Sequence, residues 1–321
     1  MKTLVFDGNN AAWRLMKKLP QLTSRGEQVQ VVYGFLRLVR SMLEQFQPDA
    51  ALVCWDSGRS KERMQLYPEY KANRDHDSSA DLRREMGSVN KQIHRLKEIL
   101  PKLNVMQSFY PDTEADDLMG ISTEALPGEK VIVSSDRDAY HLIDEQVSVW
   151  SPIKLEHYTH KNFAKKVIVK ESGQDVPANI TPQQWLEMRA LTGDSGDNIS
   201  GVARGFGEGS ALELIRKFDS IEKLFTAPIE EKIHDTMASR YALIYSAGAR
   251  ERVYRNLLLM DLRLPIRRPR GPKIAELMKK GLGKRQRVDK LAVRAYFREH
   301  DFDSLTKDFV VWISPFTDLD S

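Results

Sequence analysis

Short apolar runs separated by longer amphipathic stretches set the pattern of the first half of the chain. Residues 3–7, 51–56, 105–109, 131–136 and 147–150 read as strands, apolar enough to be buried on both faces of a parallel sheet. Between the first two runs, Val31, Val32, Phe35, Leu36, Leu38, Val39, Met42, Leu43 and Phe46 recur at helical spacing. Thr113 stands where it would cap a helix running to Leu126. The repeated β-α-β order predicts an α/β fold with a doubly wound sheet. One interval breaks the pattern: residues 57–97 are too long for a simple crossover and carry Lys61, Arg63, Lys71, Arg74, Arg83 and Arg84, so they read as an inserted helical excursion. Residues 152–177 alternate in polarity around Gly173 and read as a hairpin or an irregular connection. From Thr181 the signal is helical. Thr181-Pro182 supplies an N-cap and a first-turn proline, residues 211–218 form a second helix, and residues 239–259 one or two more.

Composition narrows the class. The 321 residues allow two domains, or one body with a satellite, and 41% hydrophobic with 29% charged residues is too apolar for disorder. The longest apolar run, residues 50–55, is far short of the ~18 residues of a membrane span, so neither a membrane segment nor a signal peptide is expected. The single cysteine, Cys54, forms no internal disulfide, which suits a reducing, cytoplasmic setting. Net charge is +4, but unevenly spread: residues 263–300 hold 13 Lys and Arg against Glu276, Asp289 and Glu299. A basic tail and an acidic body therefore read as separable features, and a basic surface attracts nucleic acid.

The acids carry the chemistry. In open α/β sheets ligands bind at the carboxyl ends of the strands. Asp7, Asp56 and Asp136 end the first, second and fourth runs, Asp138 follows two residues later, and Glu114, Asp116 and Asp117 open the helix after the third. Glu114 and Asp117 share a helix face. Asp194 and Asp197 lie in Leu191-Thr-Gly-Asp-Ser-Gly-Asp-Asn-Ile199. Singly, each acid could be a turn or cap residue. Together they disfavour joint ionisation unless a cation compensates them, and an all-oxygen donor set favours Mg²⁺ or Mn²⁺ over Zn²⁺. His157 and His160 read as surface residues, and Gly205-Phe-Gly207-Glu-Gly209 lacks the preceding strand and spacing of a dinucleotide loop.

The motifs, in order, are Phe6-Asp7-Gly8-Asn9, Trp55-Asp56, Tyr67-Pro-Glu-Tyr70-Lys71-Ala-Asn-Arg74, Glu114-Ala-Asp116-Asp117, Ser135-Asp136-Arg-Asp138 and Gly193-Asp194-Ser-Gly-Asp197-Asn198-Ile-Ser-Gly201-Val202. This series resembles the 5′ nucleases of the flap endonuclease type, both the stand-alone phage enzymes and the 5′-nuclease domain of bacterial DNA polymerase I. The resemblance implies a PIN-like, mostly parallel sheet with a helical arch and a C-terminal helix-hairpin-helix region. Residues 1–178 would be the nuclease domain with its arch at 57–97, residues 179–262 the helical DNA-binding region, and residues 263–321 a basic extension. It implies Mg²⁺-dependent 5′→3′ exonuclease and flap endonuclease activity in replication or primer removal, with two or more metal ions and Mn²⁺ as a substitute. One metal cluster would comprise Asp7, Asp56, Glu114, Asp116 and Asp136, a second Asp117, Asp138, Asp194 and Asp197. Lys71 would act on the scissile phosphate and Arg74 on a neighbouring one, with Tyr70 as a stacking surface and Arg63 as a further DNA contact. Gly201, Arg204, Gly205, Gly207 and Lys217 would hold duplex phosphates, beside a K⁺ ion. Two departures are visible: the hairpin carries an extra residue, and Gly209 stands where a lysine is common. The expected partners are DNA with a 5′ flap or free 5′ end and an RNA primer–DNA hybrid, with no membrane, the protein acting as a monomer. The alternatives are a PIN-like ribonuclease, which normally lacks arch and hairpin, and a non-catalytic DNA-binding relative, which would be expected to have lost acids.

Overall fold

In the computed structural model the described residues are 1–75, 79–171, 173–203, 205–227, 244, 246–284 and 287–320. The five apolar runs become strands β1 (Lys2–Asp7), β2 (Ala50–Cys54), β3 (Met106–Ser108), β4 (Glu129–Val133) and β5 (Val147–Ser151), joined by a short β6 (Glu156–Tyr158). Their order is β3-β2-β1-β4-β5-β6, parallel except for β6, which runs antiparallel to β5. β1 lies between β2 and β4, and Leu4, Val5 and Phe6 have no exposed surface. In this register Asp7 lies opposite Cys54, and Phe6 opposite Val133. Asp7, Asp56 and Asp136 therefore leave the sheet at the same edge.

Helices cover both faces. On one, Leu4, Phe6, Val53 and Trp55 pack with α1 (Gly8–Lys18), α2 (Gln30–Phe46) and α3 (Ala80–Ile99). On the other, Val5, Leu52, Ile132 and Val149 pack with α4 (Ala115–Ala125), α5 (Pro182–Thr192), α6 (Glu208–Phe218), α7 (Ala249–Met260) and α8 (Gly271–Gly283). Thr181 and Gln184 form a reciprocal capping box at the start of α5, with Pro182 in the first turn. The excursion contains a short helix at Lys61–Leu66, a 3₁₀ turn at Ala72–Asp75 and α3. Residues 152–177 contain β6 and an antiparallel pair, Ile168–Glu171 with Gln174–Pro177. Residues 239–243 of the last expected helix lie outside the described residues.

Two expectations are corrected. Thr113 does not cap α4: its hydroxyl donates to the Pro111 carbonyl, Glu114 occupies the N-cap position, and Asp56 Oδ1 accepts the Ala115 N–H at 2.7 Å. The basic tail is not separable from the body. Arg263 donates to the His141 carbonyl, Arg268 to the Leu258 carbonyl and Arg270 to the Pro111 carbonyl, while Ile274 and Met278 of α8 enter the core. Beyond α8, Phe297, Phe302, Trp312 and Phe316 close the opposite face over α2, where Arg40 Nε donates to the Trp312 carbonyl at 3.1 Å. Charge counted along a sequence does not show which arginines are spent on internal carbonyls. Among the described residues no helix is long and apolar enough to cross a membrane.

Phe297 has no exposed surface and meets the Trp312 ring edge-on at 4.7 Å. Phe297→Ala is expected to lower unfolding free energy by about 3–5 kcal/mol, the usual scale for truncating a buried aromatic; denaturant unfolding measures it. A loss under ~1 kcal/mol would mean that this segment is not part of the core.

Candidate active site

The carboxyl edge opens into a pocket of about 420 Å³ faced by Asp7, Asp56, Asp116, Asp136, Asp138, Asp194 and Asp197, with Lys71, Arg74 and Arg14 among its other walls. Local structure fixes each acid. Asp7 caps α1, its Oδ1 accepting from Asn10 N at 3.1 Å and its Oδ2 from Ser134 Oγ at 2.9 Å. Asp136 caps the 3₁₀ turn that follows β4 by accepting from Asp138 N at 2.9 Å. Asp56 is held at the rim by its bond to Ala115 N, and its own N–H donates to Asn9 Oδ1. Asp194 Oδ1 accepts from Gly196 N at 2.8 Å within the loop between α5 and α6.

Burial raises these acids, and neighbouring carboxylates add to it. Burial, followed by Asp136 and Asp56, pushes the Asp7 carboxyl from 3.8 to about 7. Burial, then Asp7 and Asp136, drives Asp116 well above its ordinary value. Burial also raises Asp138, against the pull of Arg189. Asp197 rises for the same reason, against Lys71 and Arg74.

Seven of the nine expected acids face the pocket. Glu114 and Asp117 share a helix face as their spacing requires, but that face meets Arg63. Arg63 Nη1 donates to Glu114 Oε2 at 2.9 Å, Nη2 lies 2.7 Å from Asp117 Oδ1, and Nε donates to the Leu259 carbonyl at 2.8 Å. Asp117 is thus paired with Arg63 and does not line the pocket. Glu114 also accepts from Tyr70 Oη and Lys71 Nζ, each at 2.8 Å. Burial opposes its ionisation, but Lys71 and Arg63 win and hold it below the ordinary carboxylate range. Arg63 and Tyr70, expected as DNA contacts, are each only 2% exposed and are committed to this network. A side chain so enclosed offers no face to a phosphate or a base.

Lys71 meets the pocket with its ammonium 2.8 Å from Glu114 and 3.6 Å from Asp197. Arg74 is exposed and pairs with Asp197 at 2.7 Å. Of the hairpin residues, Gly201 is explained by packing, since a Cβ there would come within 2.3 Å of the Thr192 carbonyl oxygen. Gly205 has φ +80° and Gly207 precedes α6, whereas Lys217 lies in its last turn, at the opposite end, over the Phe218 ring. Arg204 lies outside the described residues.

Sequence reasoning missed Arg14 and Arg189, and gave Asn256 no role. Arg14 stands on α1 seven positions after Asp7, two turns along, which is a readable signal. Arg189 bridges Asp138 Oδ1 at 3.0 Å and Asp194 Oδ2 at 2.7 Å. Asn256, with no exposed surface, donates to the Ala190 and Ser200 carbonyls at 2.9 and 2.8 Å, so it pins both ends of the acid loop. No local pattern marks Arg189, and none shows what Asn256 holds.

The donor set fits a hard divalent cation. Asp7, Asp116 and Asp136 offer only oxygen, and the Asp7 and Asp116 carboxyls, raised by burial and then by neighbouring carboxylates, would be relieved by a cation. Among the described residues no three Asp, Glu, His or Cys side chains are gathered closely enough to hold an ion by themselves.

Comparison with known proteins agrees with the geometry. Residues 2–168 match the 5′-3′ exonuclease N-terminal resolvase-like domain, and residues 180–267 the 5′-3′ exonuclease C-terminal SAM fold. The chain is 31% identical over 312 residues to thermostable DNA polymerase I of Thermus filiformis, covering 96% of this chain and 33% of that one. It is 32% identical over 227 residues to DNA polymerase I of Bacillus subtilis, covering 70% and 24%. It thus spans a third or less of the length of these curated relatives. The fold is shared with the zinc-bound 5′-exonuclease of T5 (TM-score 0.70, 20% identity, 89% of this chain and 100% of that one). It is shared equally with the bacteriophage T5 flap endonuclease in complex with DNA and metal ions (TM-score 0.69, 20% identity, 88% and 99%).

A carboxyl raised from 3.8 to about 7 destabilises the metal-free fold progressively between those pH values, and fully above them. In chelator at pH 8, Asp7→Asn, which keeps an acceptor for Asn10 N, is expected to be more stable than the parent by about 1–4 kcal/mol. The gap should close below pH 4, and added divalent cation should stabilise the parent but not the variant. Thermal denaturation with and without chelator checks both. A less stable variant in chelator would contradict the assignment of repulsion at Asp7.

Proposed function

The chain belongs to the 5′-3′ exonuclease family, and from that premise we propose that it is a Mg²⁺-dependent, structure-specific 5′ nuclease that cuts DNA carrying a 5′ flap or a free 5′ end. The observation that carries this reading is the single pocket in which seven aspartates face Lys71 and Arg74. Asp7, Asp116 and Asp136, with Asp56 at the rim, would hold one ion. Asp138, Asp194 and Asp197 would hold or water-bridge a second. When bound, such ions lower the pKa of a water and stabilise charge on a phosphodiester undergoing in-line attack.

The chain's own residues do the rest. Lys71 sits where its ammonium can exchange carboxylate for phosphate, and Arg74, exposed at the rim, can grip an adjacent phosphate. Ser134 and Asn10 fix the Asp7 carboxylate, while Arg189 holds Asp138 and Asp194 in a constant relation. The turn between α5 and α6 supplies backbone N–H groups for duplex phosphates, with a K⁺ ion beside them. An RNA primer–DNA hybrid would fit the same path. We assign residues 1–178 to catalysis and residues 179–262 to duplex binding, with the protein acting as a monomer in the cytoplasm.

A 5′-labelled flap substrate, incubated with and without Mg²⁺, is expected to be cut near the single-strand junction only with the metal; cleavage in chelator would end the reading. Asp116→Asn and Asp136→Asn are each expected to abolish cleavage while retaining duplex affinity, because phosphate contacts away from the pocket survive. Lys71→Ala should slow single-turnover cleavage by ~100-fold or more, the scale of one lost transition-state donor, with binding much less affected. Equal few-fold losses in rate and affinity would make Lys71 one phosphate-attracting charge among many.

A further inference from the structure

Lys71 has φ +57°, a left-handed backbone conformation that a non-glycine residue adopts at a cost. Such a conformation persists only where surrounding contacts over-determine it. Here the contacts come from the acid loop, distant in sequence. The Lys71 N–H donates to the Asp197 carbonyl at 2.9 Å. On one side of it, Asn198 Nδ2 donates to the Glu69 carbonyl at 2.7 Å; on the other, Asn73 Nδ2 donates to the Ser195 carbonyl at 3.0 Å. Asn198 itself has φ +58°, a region that asparagine tolerates better than most residues. Neither amide lines the acid pocket. Both are neutral, so neither adds charge to it.

We propose that Asn73 and Asn198 are positioning residues that clamp the 69–74 segment to the 194–198 loop, holding Lys71 in its left-handed conformation with the ammonium at the pocket. This rests on the reading of Lys71 as the residue that meets the scissile phosphate. The clamp joins the excursion after β2 to the loop after α5, so the cation and Asp194 and Asp197 take up their places together. Loss of either amide frees the Lys71 backbone to relax and withdraws the ammonium, while Glu114 keeps Arg63.

The test uses the full chain with Asn73→Ala and with Asn198→Gly, which retains the left-handed backbone and removes only the amide. Each is expected to slow single-turnover flap cleavage by about fivefold, the scale of one lost hydrogen bond, with duplex affinity unchanged. In a Lys71→Ala background each should change the rate by less than about twofold, because residues acting through one group are not additive. Hydrogen exchange at the Lys71 amide, measured without substrate, should speed up in both single variants. Independent, multiplying losses in the Lys71→Ala background would overturn the proposal, as would unchanged exchange at Lys71. If the parent protein leaves the flap uncut, the reading of the site fails, and the exchange measurement alone then decides the clamp.

Discussion

Repulsion among carboxylates brought to one edge of a parallel sheet is the constraint on which the rest of the structure depends. The topology brings the acids there: β1, β2 and β4 are adjacent and parallel, so the residues that end them share one rim. The fold divides this charge among four protein cations. Arg63 takes Glu114 and Asp117, Arg189 takes Asp138 and Asp194, and Lys71, with Arg74 at its side, takes Asp197 and a share of Glu114. Asp7 and Asp116 are left raised, by burial first and then by the carboxylates around them. Every acid already paired with an arginine is one less reason for the edge to open.

The fold was legible because its signals are local. Five buried strands need five apolar runs, and Thr181-Pro182 with Gln184 begins a helix whatever surrounds it. The acids were legible because strand ends are predictable and catalytic carboxylates cluster there. What each acid faces was not. Glu114, Asp116 and Asp117 are consecutive or nearly so, yet one helical turn sends Asp116 toward the pocket and its neighbours toward Arg63, which arrives from the excursion. The same limit hid Tyr70, an exposed aromatic by its charged surroundings and a buried one by its hydroxyl bond to Glu114. A basic stretch likewise says nothing of where its side chains are spent: Arg263, Arg268 and Arg270 tie the C-terminal segment to carbonyls of the body.

Burial of Arg63 has a consequence for Lys71. A buried carboxylate stripped of its only cation costs several kcal/mol, so a lysine that alone neutralised Glu114 would be held there. Glu114 instead keeps Arg63 at 2.9 Å and the Tyr70 hydroxyl at 2.8 Å whatever Lys71 does. Lys71 is thus the redundant cation of Glu114. Its ammonium can leave Glu114 without stranding a buried charge, and the arginine that holds the base of the excursion in place is also what makes that departure inexpensive.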